Sequence, residues 1–243
     1  RLGPFRIVRE PLMKAIILCA GHGTRLRPLT NYISKAMVPV AGVPILERIV
    51  RKLVEQGFTE QIVALSLFAD QVRHYFGDGS RFGAQIEYSV NTEPSGTAGE
   101  IAQMRPVLQG ETDVLVHYGD ILSDLDAAAM AAEHLAHRAD LTIGLVKGVE
   151  IHAGVADVEA DGRVTRFVEK PPLDVPTNAA IFMLGREAIE RSAAGLDFSH
   201  DIFPKLIADG RNVRGFVDDR AYWLDVGRLS DLDKANEFFG GTR

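Results

Sequence analysis

Along the first 150 positions, segments with two different spacings of apolar residues alternate. Short apolar runs predict five strands, at 15–19, 61–67, 84–90, 114–118 and 141–147. Between them, apolar residues recur every three or four positions and predict helices that end near residues 56, 76, 108 and 138. Strands and helices in alternation are typical of an α/β protein with a mostly parallel sheet.

The pattern changes after residue 150. Two short β-type runs at 155–158 and 164–168 flank Asp161-Gly162 and predict a hairpin. A strand at 179–184, two helices, two more strands and a terminal helix follow. We therefore predict a Rossmann-like, mixed but mostly parallel sheet flanked by helices, in one domain over 13–243. A small β lid at about 150–185 is expected at the carboxyl edge of the sheet, where ligands of α/β folds bind.

Composition narrows the class of protein. The chain has 243 residues, a formal charge of −6 and 46% hydrophobic residues, typical of a globular protein that offers no basic surface to a nucleic acid. No segment reaches the ~18 apolar residues of a membrane span, so a cytoplasmic protein is expected. Residues 1–12 do not fit the pattern and are interpreted as an N-terminal extension that need not be native. His74, His134 and His137 fall on predicted helices and are expected at the surface.

A glycine-rich loop, G-H-G-T-R at 21–25, follows the first strand directly. Glycines at the carboxyl end of a strand let the backbone approach a ligand, and their N–H groups can face phosphate. A dinucleotide fingerprint would need a third glycine where Leu26 stands and a helix that Pro28 disfavours. A P-loop would need Gly-Lys-Ser/Thr, which is absent here. The loop therefore predicts a polyphosphate site of another kind.

The loop and the segment at 34–44, S-K-A-M-V-P-V-A-G-V-P, together resemble the signature of the sugar-phosphate nucleotidyltransferases. Ser34 replaces the proline that usually precedes the lysine. The resemblance is to the short form of the family, without the C-terminal β-helix, and implies its GT-A-like fold. It implies that Arg25 contacts the leaving pyrophosphate and Lys35 the triphosphate, and that the nucleotide is also contacted by Ala20, Gly21, Gly23 and Thr24.

A second segment, E-P-S-G-T-A-G at 93–99, is similar to the family loop that contacts the base. The resemblance implies that Glu93, Gly96 and Thr97 bind the nucleotide, while Thr97 is equally explained as a helix N-cap. A carboxylate only accepts hydrogen bonds, so Glu93 suits the two donors of guanine better than the single donor of uracil. This favours GTP, with UTP next.

Two aspartates follow separate predicted strands. Asp120 comes after V-H-Y-G, and Asp225 lies in Y-W-L-D-V-G, which resembles the W-x-D-x-G of the family. Each alone could be a turn or cap residue, but together with the resemblance they predict an Mg²⁺ site, because this ion prefers oxygen ligands. Tyr118 stands where the family usually has asparagine and is predicted to contact the sugar.

The predicted lid carries a third match, E-K-P at 169–171 followed by N-A-A at 178–180. The resemblance implies that Lys170 binds the phosphate of the sugar and that Glu169, Asn178 and, on weaker grounds, Gly154 bind the sugar itself. Ala180 replaces the family glycine, so the identity of the sugar cannot be transferred from a relative.

The resemblance implies transfer of a nucleotidyl group from a nucleoside triphosphate to a sugar 1-phosphate, with Mg²⁺, by in-line attack on the α-phosphorus. Two alternatives stay open: a phosphocholine-type cytidylyltransferase, and a non-catalytic regulator or subunit that binds nucleotide sugars. The G-T-A and E-K-P segments argue against the first, and retention of the charged residues argues against the second. The expected partners are these two substrates, and a homo-oligomer is neither indicated nor excluded.

Overall fold

The computed structural model describes residues 13–150 and 153–241. The interpretation of residues 1–12 as an extension lies outside the described residues. The described part folds around one seven-stranded sheet with helices on both faces.

The strands run in chain order as β1 Ala15–Leu18, β2 Pro39–Val40, β3 Val43–Pro44, β4 Glu60–Leu65, β5 Gln85–Val90, β6 Asp113–Tyr118, β7 Ile121–Ser123, β8 Leu141–Val146, β9 Val149–Glu150, β10 Val155–Val158, β11 Val164–Val168, β12 Pro172–Leu173, β13 Thr177–Gly185, β14 Val213–Val217 and β15 Trp223–Asp225. The α-helices are α1 Ile45–Glu55, α2 Ala69–Phe76, α3 Thr97–Met104, α4 Ala127–His137, α5 Arg186–Arg191, α6 Phe203–Ala208 and α7 Leu229–Gly240. A π-helical segment, Phe198–Ile202, precedes α6, and 3-10 turns occupy Thr24–Leu26, Leu29–Asn31, Lys35–Met37 and Ser80–Phe82.

The central sheet has the strand order β14-β8-β13-β6-β1-β4-β5. β1 pairs in parallel with β4 and β6, β4 pairs in parallel with β5, and β14 with β8. Only β13 runs against its two neighbours in this sheet. The mixed, mostly parallel sheet predicted from the sequence is therefore confirmed.

The first strand shows why this sheet is covered on both faces. Successive side chains of a strand point to opposite faces, and Ile16 and Ile17 are both fully buried in β1. Ile17 packs in the core that includes α1 and α4, and Ile16 packs in the core that includes α3 and α6. A continuous apolar run in a parallel strand is thus explained by helices on each side.

Two small strand pairs lie outside the central sheet. β10 pairs with β11 as the predicted hairpin, and β9 pairs with β12. Residues 177–185 at the end of the segment predicted as a lid form β13 of the central sheet. The hairpin exposes every described residue of β10. Within the described residues, no helix combines the length and the hydrophobicity that crossing a bilayer requires.

His134 is not a surface residue as expected but is 1% exposed. It lies on the face of α4 that packs on the sheet, next to buried Met130 and Ala131. Its Nδ1 lies 2.8 Å from Thr142 Oγ1 and its Nε2 lies 3.0 Å from Asp113 Oδ1. Both partners are on strands, so a polar side chain on the inner face of this helix is satisfied by the sheet.

Candidate active site

The glycine-rich loop leaves the carboxyl end of β1 in a conformation that requires a glycine. Gly23 has a positive φ of 61°, and a Cβ there would lie 2.9 Å from Thr30 Cγ2 and 3.2 Å from Lys35 Cβ. The Thr30 hydroxyl donates to the Gly23 carbonyl oxygen at 2.8 Å. The loop therefore folds back over the start of the next segment and brings Lys35 to the end of β1.

Ser66, at the end of the neighbouring strand β4, anchors the same loop. Its hydroxyl donates to the Ala20 carbonyl oxygen at 2.6 Å. No motif of the sequence marks this residue. The available signal was its position, because the carboxyl ends of parallel neighbours meet at one edge of a sheet.

Ser34 occupies the position of the family proline without loss of order. Its φ of −58° is one that proline would adopt. The N–H that proline would lack donates to Gln71 Oε1 at 3.1 Å, and Gln71 Nε2 donates to the Tyr32 carbonyl oxygen at 2.9 Å. The turn before Lys35 is thus held by α2 in place of a pyrrolidine ring.

The two predicted aspartates come together because β15 pairs with β7. In this antiparallel pair Asp225 lies opposite Ile121, the residue after Asp120. The backbone N–H of Val226 donates to the Asp120 carbonyl oxygen at 2.8 Å. The pair places both carboxylates at the carboxyl edge of the sheet.

The charges around these aspartates are unevenly balanced. Lys35 Nζ lies 2.5 Å from Asp120 Oδ2. Asp225 Oδ1 is buried and has no hydrogen-bond partner in the described structure. Burial, and then the charge of Asp120, raises the pKa of Asp225, against the opposing effect of Lys35 and Arg25. Asp225 Oδ1 is therefore a buried acceptor without a hydrogen-bond donor among the described residues.

This orphaned oxygen fits a divalent cation. Mg²⁺ commonly takes one or two carboxylates and completes its shell with water and substrate phosphate oxygens. The described residues hold no group of three or more histidine, cysteine or acidic side chains that could bind a metal by themselves. Asp120 and Asp225 would thus supply two carboxylates to Mg²⁺, and water and substrate phosphate oxygens would complete its shell.

Two cavities open beside these residues and share Gly21, Thr24 and Asp120 in their walls. The smaller, about 230 Å³, is lined by Arg25, Lys35 and Gly227. The larger, about 500 Å³, extends along the loop from Asn91 to Thr97. The smaller cavity is cationic and the larger has the size of a small-molecule site, so together they form one cleft with a charged end and a wide end.

Arg25 stands close to the second aspartate. A Cβ on Gly227 would lie 2.8 Å from Asp225 Oδ1 and 3.2 Å from an Arg25 guanidinium nitrogen. Any side chain larger than glycine at this position would separate the two. Gly227 therefore allows the cation and the carboxylate to face one space.

At the wide end, Gly96 is fixed by a close approach of two backbones. Its φ is +76°, and a Cβ there would lie 2.4 Å from the Leu196 carbonyl oxygen. The next residue, Thr97, donates its hydroxyl to Asp197 Oδ2 at 2.7 Å and accepts from the Phe198 N–H at 3.0 Å. The explanation of Thr97 as an N-cap is wrong, because Gly96 precedes α3 and no side chain caps it.

Two glutamates line the larger cavity in different ways. Glu93 is exposed, and only its backbone N–H is bonded, to Asn91 Oδ1 at 3.1 Å. Glu100, in α3, is 6% exposed. Its Oε1 accepts from Ser95 Oγ at 2.6 Å and from Asn91 Nδ2 at 3.3 Å, whereas its Oε2 is buried without a partner. Glu100 belongs to no recognised motif of the sequence, although a charge on the apolar face of a helix is a recognisable signal.

Of the predicted sugar contacts, Tyr118 lies in the wall of the larger cavity, where burial raises its pKa to about 12. Gly154 and Glu169 lie together, since a Cβ on Gly154 would be 2.9 Å from Glu169 Oε2. Asn178 Oδ1 accepts from the Ala180 N–H at 2.9 Å. Gly154, Glu169, Lys170 and Asn178 line neither part of the cleft, and Asp225 borders a separate neighbouring cavity. The roles of all five residues stay predictions.

Comparison with known proteins gives consistent matches over the same residues. Residues 14–240 match the family model described as nucleotidyl transferase. A mannose-1-phosphate guanylyltransferase of Mycobacterium tuberculosis is 38% identical over 225 residues, which are 90% of this chain and 62% of that protein. A UTP–glucose-1-phosphate uridylyltransferase of Synechocystis sp. is 33% identical over 92% of this chain and 62% of its own length. The chain thus spans less than two thirds of the length of these curated relatives.

A solved structure matches over nearly its whole length. HddC from Yersinia pseudotuberculosis superposes with a TM-score of 0.74 at 28% identity and covers 93% of this chain and 99% of its own, and a second structure of it is complexed with GMP-PN. A structure from Bacillus anthracis with a TM-score of 0.76 at 22% identity shares the fold. Since the family match runs from the first strand of the sheet to the last helix, the chain belongs to the nucleotidyl transferase family.

Proposed function

We propose that this protein transfers a nucleotidyl group from a nucleoside triphosphate to a sugar 1-phosphate. The observation that carries the proposal is that Asp120 lies beside Lys35 and Arg25 at the charged end of the cleft, with Asp225 brought next to it by the pairing of β15 with β7. The relatives named as guanylyl- and uridylyltransferases of sugar 1-phosphates support the same class of reaction.

In this reaction an oxygen of the sugar phosphate attacks the α-phosphorus and forms a new P–O bond. The bond from the α-phosphorus to the bridging oxygen breaks, and pyrophosphate leaves with the electron pair. The attacking group is already an anion, so no strong base is needed. The difficulty is to bring two anions together, and catalysis depends on positioning and charge neutralisation.

The residues of the chain divide this task. Arg25 stabilises the leaving pyrophosphate, Lys35 contacts the triphosphate, and Lys170 contacts the sugar phosphate when the hairpin segment covers the cleft. Asp120 and Asp225 would hold Mg²⁺, which would supply positive charge to neutralise the phosphates. Lys35 pairs with Asp120, so a bound triphosphate would compete with this carboxylate for the lysine.

We propose GTP as the nucleotide, with UTP as the second candidate. Glu93 offers acceptors only, which suits the guanine edge. The mannose-1-phosphate guanylyltransferase of M. tuberculosis and the GMP-PN complex of HddC support this choice, and the Synechocystis uridylyltransferase is the reason to keep UTP.

The test is a matrix of five nucleoside triphosphates against several sugar 1-phosphates, with pyrophosphate release and formation of the nucleotide sugar both measured. We expect release with at least one pair, highest with GTP, and none after Mg²⁺ is removed with a chelator. No release with any pair, together with tight binding of a nucleotide sugar by calorimetry, would contradict transfer and support the non-catalytic alternative.

A further inference from the structure

The carboxylate of Glu100 is buried, and its hydrogen bonding is incomplete among the described residues. One oxygen, Oε1, accepts from two side chains of the loop before α3, and the other, Oε2, is buried with no partner among the residues that the structure describes. An acceptor that is removed from water without a donor is costly, and native proteins rarely keep one without a functional reason. Glu100 lies in the wall of the larger cavity. Glu100 therefore places an acceptor without a protein donor in the wall of the cleft, where a ligand N–H can satisfy it.

We propose that Glu100 selects the base of the nucleotide and that it does so in favour of guanine; the inference rests on the proposed function. Two side chains of the loop before α3 hold the carboxylate in position by hydrogen bonds. Ser95 Oγ lies 2.6 Å from Oε1, whereas Asn91 Nδ2 lies at 3.3 Å and is the weaker donor. A base N–H can donate to Oε2, while the Ser95 bond to Oε1 keeps the carboxylate in place.

The choice of guanine follows from the donors that each base presents. Glu93 and Glu100 line the same cavity, so two carboxylates face one base. Guanine offers its N1–H and its 2-amino group side by side. Uracil offers one N–H between two carbonyl oxygens, and adenine and cytosine place an acceptor nitrogen next to their amino group. Carboxylates repel these acceptors, so the pair both attracts guanine and rejects the other bases.

The test is the ratio of kcat/KM for GTP to kcat/KM for UTP with a common sugar 1-phosphate, in the wild type and in Glu100→Gln. The glutamine amide places N–H donors where the carboxylate had an acceptor. We expect the GTP/UTP ratio to fall about 10- to 100-fold, the size expected when a hydrogen bond to a charged group is lost. Because both values come from one preparation, the ratio does not depend on the folded fraction. Glu133→Gln, at an exposed position of α4, is the matched control and should leave the ratio unchanged.

An unchanged ratio in Glu100→Gln would overturn the proposal, and so would a wild type that uses UTP well and GTP poorly; nucleotidyl transfer itself would stand in both cases. If Glu100→Gln does not fold, analogues test the wild type directly. We expect 7-deaza-GTP to be used like GTP, and 1-methyl-GTP, which lacks the N1–H, to lose most of its kcat/KM. Equal use of 1-methyl-GTP would refute the role of Glu100.

If no triphosphate supports transfer, the proposed function fails but Glu100 can still be tested by binding. Calorimetric titration of the wild type with GTP and with 1-methyl-GTP should then show tighter binding of GTP. Equal affinities would overturn the proposal for Glu100 independently of any activity.

Discussion

Ala180 has a backbone conformation that could not be predicted from the sequence. It follows Asn178 in the segment where related sequences have glycine, and its φ of +56° lies in the left-handed region. A side chain with a Cβ is strained there by about 1–2 kcal/mol. The Asn178 side chain accepts from the N–H of Ala180 and helps to hold this conformation. The replacement of glycine therefore leaves the local backbone shape but stores strain beside the predicted sugar contact.

Ala180→Gly is expected to raise the free energy of unfolding by about 1 kcal/mol, because the strain is relieved at a modest entropic cost. Urea unfolding followed by circular dichroism measures this value. Ala132→Gly, at an exposed position in the middle of α4, is the control with the opposite sign and should lose about 1 kcal/mol. A loss of stability in both variants would contradict the argument from φ.

Asp120→Asn tests the role of one carboxylate at the charged end of the cleft. The substitution keeps the shape of the side chain and removes its charge, so we expect turnover to fall about 10²- to 10³-fold, as when other preorganised charge contacts are lost. Lys35 loses its charged partner but can still contact the triphosphate. The affinity for the nucleotide should therefore change less than turnover. Asp126→Asn, which affects the cap of α4 outside the cleft, controls for loss of a charge. Near-normal turnover in Asp120→Asn would refute the predicted role.

Among the elements, the hairpin β10–β11 differs from the rest of the described fold. Val158, Val164 and Phe167 are each more than half exposed, and the hairpin pairs with no strand of the central sheet. A two-stranded hairpin without a packed face is marginally stable in water. The element that carries Gly154 and leads into Glu169 and Lys170 is therefore the one expected to open most easily.

Hydrogen exchange measured by mass spectrometry tests this expectation. Amides of β10 and β11 should exchange far faster than those of β1 and β6, which are central strands of the sheet. Addition of Mg²⁺ and the nucleotide-sugar product should slow exchange in the hairpin if the segment covers the sugar as proposed. Protection in the hairpin equal to that in β1 would contradict its expected mobility.

The sequence predicted most of the larger elements to within a few residues, because their apolar spacing is local and strong. It did not predict the short strands β7 and β9. It predicts one continuous helix where the structure has a π-helical segment followed by α6. β7 has three residues and exists only because β15 pairs with it from the far end of the chain. Such elements carry too little local pattern to be recognised before the fold is known.

For the whole molecule, buried histidines link stability to pH. His117, on β6, is 4% exposed, and burial lowers its pKa from 6.5 to about 4. Its Nδ1–H donates to the Tyr118 carbonyl oxygen at 2.8 Å. Burial also lowers the pKa of His134. Since the folded state favours neutral histidine, this contribution to stability is complete above pH 6.5 and is lost as the pH falls towards 4.

We expect the free energy of unfolding to decrease between pH 6.5 and 4, by up to about 3 kcal/mol for His117 alone. Urea unfolding at a series of pH values measures the slope. His117→Asn should be less stable at pH 7 but should flatten the slope, because the asparagine amide can donate the same bond without titrating. His74→Gln, at an exposed position of α2, should keep the wild-type slope. A wild-type slope in His117→Asn would show that other groups set the pH dependence.

By itself, the sequence determined the α/β class, the glycine-rich loop after β1 and two aspartates at the ends of separate strands, because each depends on a local pattern and on the chemistry of its residue types. Only the tertiary structure decided that β15 pairs with β7 and brings those aspartates together, and that α2 fixes the turn at Ser34, where the family pattern has proline. It also decided that Glu100 is buried with one oxygen lacking a partner among the described residues. These features depend on contacts between residues far apart in the chain, which no local spacing encodes.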